Sequence, residues 1–199
     1  MLVKNRMVKK LITIDRNCTV VEALSLMKKY SVRHLPVVDG PLFVGLITES
    51  DLREVMLPSL VRDIPVEQIM IEDPITIGPN DSLEEAARII YRDKIGGLPV
   101  LDKGKLVGIL TTPDILAAFI ELMGVLQSSS RLDLRLADRP KAFEEASGII
   151  QKNGGQIISV GMMGKGQRKT HFFRLEKAPL DPIIRALEKK GHRVLSSME

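Results

Sequence analysis

Tryptophan is absent from the 199-residue chain, and two tyrosines and five phenylalanines are its whole aromatic stock. A reader of unpaired bases, which stacks rings on them, has little to build with here, so nucleic acid is not an expected partner. The single cysteine, Cys18, excludes an intrachain disulfide and fits a reducing compartment, with the cytoplasm the expected location. Long apolar runs are missing too. The longest nearly apolar stretch, ILAAFIELMGVL at 115–126, contains Glu121 and falls short of the roughly 20 residues a membrane-spanning helix needs. Near the start, Arg6, Lys9 and Lys10 interrupt what a secretory signal would keep apolar. Neither export nor a membrane partner is expected.

What is present is an ordinary globular composition, 44% hydrophobic and 27% charged, which excludes wholesale disorder. A net charge of +4 favours phosphorylated or acidic partners only weakly, because the cations are interleaved with acids. Sliding the chain by 63 positions lays residues 7–52 on 70–115 without a gap. ITI at 12–14 meets ITI at 75–77, LPVVD at 35–39 meets LPVLD at 98–102, and FVGLITESD at 43–51 meets LVGILTTPD at 106–114. Each copy reads as a β-rich piece, a helix (Val20 to Tyr30 and Leu83 to Arg92), a hairpin and a second helix. Thr19 and Ser82, each followed three residues later by Glu22 and Glu85, have the spelling of helix caps. The second helices are expected to stop before Pro58 and to run from Pro113 to about Leu126.

After a small polar linker, QSSS at 127–130, the pattern changes to strand, helix, two strands, helix, strand. AFEEASGIIQKNGG is the first of these helices, Asp181-Pro182 opens the second, and GKGQRK joins the middle strands. The expected class is α+β with three modules, 1–60, 61–127 and 128–199, the last a βαββαβ sheet covered on one face by two helices.

The repeated corner carries the chemistry. A strand ending in threonine and passing into a helix presents free N–H groups where a phosphate is held well. Gly45 and Gly108 allow a ligand or another chain to approach the strand closely. Thr48 and Thr111 offer hydroxyls, and Asp51 and Asp114 offer acceptors suited to a ribose diol. Strand residues around Thr13 and Thr76 form one wall for a flat base, with Val32 or Ile95 near the other. Taken singly, Thr-x-x-Asp is also the capping box of an ordinary helix.

The paired pattern, with its ITI strands, LPV segments and G-h-h-T-x-x-D corners, resembles a tandem CBS domain pair, or Bateman module, over residues 1 to about 126. The resemblance implies a pseudo-two-fold pair, often doubled into a homodimer, whose clefts take an adenosine-containing ligand: AMP, ADP, ATP, NAD or S-adenosylmethionine. It implies ribose contacts for Asp51 and Asp114, phosphate or ribose contacts for Thr48 and Thr111, base contacts for Thr13 and Thr76, and a ligand set that includes Pro36 and Pro99 of the LPV segments. The copies differ where Arg33-His34 aligns with Gly96-Gly97. Arg33 can clamp a phosphate with His34 assisting, while the glycines admit close backbone approach.

Residues 130–197 resemble an ACT domain, chiefly through LADRPKAFEEASGIIQKNGGQIISV. Such domains often bind amino acids at a D-x-P-G stretch, and here Lys141 replaces the glycine after Asp138-Arg139-Pro140, so pairing of sheets between subunits is the expected role. A CBS pair followed by ACT is the layout of AcuB-like proteins of acetoin utilization. His34, His171 and His192 lie in unrelated contexts, and neither metal spacing nor a catalytic pattern is present. A non-enzymatic sensor, regulated by an adenine nucleotide and without a prosthetic group, is therefore expected, reading its ligand through dimer packing or an unidentified protein partner. The alternative is an assembly module with vestigial clefts.

Overall fold

Both repeat helices begin at their capping residues. Thr19 Oγ1 accepts from the Glu22 amide while the Glu22 carboxylate accepts from the Thr19 amide, opening α1 (Val20–Tyr30). Ser82 Oγ accepts from the Glu85 amide to open α3 (Leu83–Asp93). Such a cap contributes about 0.5–2 kcal/mol. The computed structural model describes residues 1–55 and 64–199, which fall into two units, Met1–Leu116 and Ala117–Glu199. The expected helix end before Pro58 and the module boundary between residues 60 and 61 lie outside the described residues.

In the first unit each repeat forms a hairpin, β2 (His34–Asp39) with β3 (Leu42–Thr48) and β5 (Gly97–Asp102) with β6 (Lys105–Thr111). Short extended pieces flank them. β1 (Ile14–Asp15) pairs in parallel with β2 through Ile14 and Val37, and Ile77 repeats this on Val100. On the other side the repeats exchange segments. β4 (Ile71–Glu72), which leads into the second repeat, pairs with Gly45 and Leu46 of the first, while Val8, which leads into the first, pairs with Ile109 of the second.

The exchange extends to the 3-10 turns upstream. The amides of Val66 and Glu67 donate to the Cys18 and Arg16 carbonyls, and those of Val3 and Lys4 donate to the corresponding Asp81 and Pro79 carbonyls. Val66 joins the core formed by Ile14, Val20, Ala23, Met27, Leu35 and Val37, and both Val3 and Val66 have no exposed surface. Full burial of such a side chain contributes about 1.5–3 kcal/mol. Arg16 adds ion pairs to Asp39 and Glu67. Gly45 and Gly108 serve this exchange. A Cβ on Gly45 would lie 2.8 Å from Met70 Sδ and 2.9 Å from the Ile71 carbonyl, and one on Gly108 would lie 2.6 Å from Met7 Sδ. The close neighbour expected at these glycines is thus another segment of the same chain.

α2 (Glu49–Val55) and α4 (Thr112–Leu122) follow the hairpins. α4 stops short of the expected Leu126 because Gly124 turns the chain at φ +66, where a Cβ would meet Ile158 Cγ2 at 2.8 Å. The expected linker at 127–130 is already strand in part. Ser129 and Ser130 belong to β7 (Ser129–Arg135), and the fully buried Ser130 hydroxyl donates to the Ala178 carbonyl at 3.1 Å.

The second unit continues with α5 (Ala142–Lys152), β8 (Ile157–Met163), β9 (Thr170–Glu176), α6 (Asp181–Lys189) and β10 (Arg193–Met198). Its strands pair antiparallel in the order β10-β7-β9-β8. Alternation along β7 and β9 sends Leu132, Leu134, Phe173 and Leu175 to one face, where Ala146 and Ile150 of α5 and Ile183 and Leu187 of α6 cover them. No described helix is long and apolar enough to cross a membrane.

Gly45→Ala is expected to cost about 1–3 kcal/mol of stability, because the Ile71 carbonyl that the new methyl meets is fixed by strand pairing. A urea unfolding curve superimposable on that of the parent would contradict the exchange as the source of this glycine.

A pH dependence also follows. Burial, the leading cause in each case, lowers His34, His171 and His192 below the ordinary 6.5; Arg33 adds to the shift at His34, and Asp51 opposes it. The folded chain therefore binds fewer protons than the unfolded chain on the acid side of that value. Stability is complete above about pH 6.5 and is lost as pH falls through the lowered folded values. The urea midpoint should be lower at about pH 5 than at about pH 7.5; a midpoint that rises on acidification would refute this.

Candidate functional site

The two strand-to-helix corners are built alike. The Thr48 amide and hydroxyl both donate to Asp51 Oδ2 at 2.8 Å, and the Asp51 amide reaches Thr48 Oγ1 at 3.4 Å. At the second corner the Thr111 amide and hydroxyl donate to Asp114 Oδ2 at 2.8 and 2.5 Å. Each aspartate thus uses one oxygen to cap its helix, as Thr-x-x-Asp allows. Oδ1 of each has no partner among the described residues, so capping and ligand binding are compatible.

A cleft of about 1000 Å³ lies across the first unit, lined by matching positions of both repeats. Of the expected site residues, Val32, Arg33, His34, Pro36 and Thr48 come to it from the first repeat, and Ile95, Gly96, Gly97, Thr111 and Asp114 from the second. Asp51, Gly45, Gly108 and the buried Pro99 do not line it. Nor do Thr13 and Thr76. Leu11 and Ile12 just before Thr13, and Pro74 and Ile75 just before Thr76, do line it.

The difference between the repeats at 33–34 and 96–97 has a packing cause. The His34 ring lies against the second repeat's glycines: a Cβ on Gly96 would be 2.7 Å from His34 Nε2, and one on Gly97 would be 3.3 Å from His34 Cδ2. Two bulky side chains could not occupy these facing positions together. Gly96 also contributes its carbonyl, which accepts from the Thr112 amide at 3.0 Å, as the Arg33 carbonyl accepts from Glu49 at 2.9 Å.

The cleft's electrostatics rest on residues the motif comparison passed over. Lys10 and Lys94 line it with Arg33 and Arg53. Arg53 is held by Glu49 at 2.7 Å, and that bond, with help from Arg33, keeps the Glu49 carboxyl below the usual range. Lys10, Arg33 and Lys94 form no ion pair among the described residues. The signal for them lies in the alignment at an offset of 63, where Lys10 is matched by Asp73 and Lys94 by Ser31. Those positions break the repeat, and all four line the cleft. Among the described residues no group of three or more His, Cys, Asp or Glu could hold a metal ion.

Comparison with known proteins agrees with this geometry. The CBS domain family model matches residues 3–58 and 66–121. The CBS domain-containing protein YhcV of Bacillus subtilis is 34% identical over 115 residues, 57% of this chain and 81% of its own. An inosine-5'-monophosphate dehydrogenase of Korarchaeum cryptofilum is 37% identical over 109 residues, but the match spans only 22% of that enzyme. Among solved structures, the CBS domain pair of protein MJ0100, in complex with 5-methylthioadenosine and S-adenosyl-L-methionine, is 31% identical with a TM-score of 0.56, covering 60% of this chain and 95% of that one. A protein assigned to acetoin utilization (AcuB) from Vibrio cholerae is 31% identical with a TM-score of 0.57, covering 63% of this chain and 94% of that one. With both halves of the repeat matched and their corners framing one cleft, the chain belongs to the CBS domain family.

Proposed function

We propose that this chain is a non-enzymatic regulatory protein that takes one adenosine-containing ligand, an adenine nucleotide, in the cleft of its CBS pair. The observation that carries the reading is Asp114. Its Oδ2 is committed to Thr111 while Oδ1 has no partner among the described residues, and it sits in a cleft that also holds Lys10, Arg33 and Lys94. A ribose hydroxyl is the donor such an oxygen suits, and a phosphate is the group these cations suit. Val32, Ile95, Ile12 and Ile75 supply apolar walls for the base. The adenosine ligands of the MJ0100 pair support the ligand class, and the cations favour a phosphate-bearing member over the sulfonium compound.

Ligand binding would be read out through a cytoplasmic homodimer. Exposed Phe119, Leu122 and Leu126 support pairing of two copies. The strand order β10-β7-β9-β8 supports an ACT-like, ferredoxin-like second unit, and the likeness to the Vibrio cholerae protein supports an AcuB-like layout. A ligand regulates only if it favours one arrangement over another.

Thermal unfolding with AMP, ADP, ATP, NAD and S-adenosylmethionine checks the proposal. A phosphate-bearing adenosine ligand should stabilise the parent by about 2.7 kcal/mol at a hundredfold excess over its Kd. Asp114→Asn should remove about 1.5–3 kcal/mol of that binding, and Asp51→Asn should remove less, because Asp51 lies outside the cleft wall. A flat response to all five ligands would leave assembly as the function.

A further inference from the structure

The second unit has a cavity of its own, about 880 Å³, where β7 passes into α5 and the turn between β8 and β9 closes the opposite side. The start of α5 is left uncapped. Lys141 occupies the N-cap position at φ 61, in the left-handed region, and supplies no side-chain cap. The Ala142 amide reaches only the Arg139 carbonyl, at 3.4 Å, and the Glu145 amide closes the first helical bond on Lys141. Between them, the Phe143 and Glu144 amides have no acceptor among the described residues. A helix of 11 residues ending this way presents a partial positive charge to the cavity.

An independent observation points to the same place. His171 of β9 lines the cavity and is 7% exposed, yet its Nδ1 has no hydrogen-bond partner among the described residues. Opposite it in the β7–β9 register, the Leu134 backbone favours its protonated form but makes no hydrogen bond of good geometry with Nδ1. Phe143 and Phe173 flank the ring at 6.0 and 6.5 Å. Arg135 Nε is likewise buried and unpartnered among the described residues. Buried donors of this kind are costly unless something pairs with them.

The charge of the wall selects the ligand. Arg135, Lys141, Arg168 and Lys169 line the cavity without an ion pair among the described residues, whereas Arg139 is spent on Glu145 and the Lys190 carbonyl, each at 2.6 Å. Asp138 and Glu144 are the acids of the wall. A dianion matches this balance. A zwitterion would bring its ammonium group among cations.

We infer that this cavity is an oxyanion site for a phosphate group, either inorganic phosphate or a phosphate monoester, bound by the α5 N-terminus with Arg135, Arg168, Lys169 and His171. The inference is independent of the nucleotide cleft. Bound phosphate would oppose the burial and the Lys169 charge that hold His171 below its ordinary value, raising it.

The test uses the nitrogen-labelled 199-residue chain, titrated separately with inorganic phosphate, β-glycerophosphate and L-serine and followed by NMR. Expected are saturable shifts of the Phe143 and Glu144 amides and of the His171 ring with a phosphate compound, together with a rise in the His171 pKa. The double variant Arg168→Ala, Lys169→Ala lies in an exposed turn and should weaken binding by about tenfold, the loss of one charge-assisted hydrogen bond or more. Asp114→Asn should leave it unchanged. Tighter binding of the monoester would identify an organophosphate as the ligand, and equal binding would identify free phosphate. Silence at these signals up to millimolar phosphate would overturn the inference, as would a response to L-serine alone or a phosphate response retained in full by the double variant.

Discussion

The first unit depends on an exchange of leading segments. Val66 joins the first repeat's core, Val3 is fully buried where its amide bonds the second repeat's Asp81, and the segments that follow them, at Val8 and Ile71, pair with the other repeat's hairpin. Apolar burial drives this, and backbone hydrogen bonds to Cys18, Arg16, Asp81 and Pro79 fix its register. Glycines 45 and 108 are the steric condition for it, since the methionine before each exchanged strand occupies the space a side chain would take.

The cleft is a by-product of that arrangement. Because each leading segment crosses to the other repeat, Ile12 and Ile75 line the same cavity as the corners that end β3 and β6. The pseudo-symmetry is broken at its centre, where His34 lies on Gly96 and Gly97. It is broken again at the aspartates, of which only Asp114 lines the cavity. The shared threonine and aspartate thus come to stand in unequal surroundings, with Glu49-Ser50 between them in one corner and Thr112-Pro113 in the other.

Much of this was legible in the chain. Local signals are short-ranged and unambiguous, so the capped starts of α1 and α3 and the strand at 170–176 fall where the residues place them. Ten of the expected site residues meet in one cleft because the motif repeats as a unit. What could not be read depends on tertiary contact. Nothing local reveals that Gly45 faces Met70 rather than a ligand, that Ser130 pairs with Ala178 instead of lying in a linker, or that α4 stops at Leu122 to seat Ile158. Lys10 and Lys94 escaped notice for a different reason. Similarity between copies highlights what is shared, and these two residues matter by being unshared.

The exchanged segments have an evolutionary corollary. A single-copy ancestor would have carried an open core and an unpaired strand position, and could have closed both only by trading its leading segment with a second molecule. Duplication into one chain turns that bimolecular encounter into a tethered one, replacing dilution-sensitive assembly with a fixed effective concentration. Two halves joined in one chain need not be identical, and a histidine on one side is admissible where its counterpart is glycine.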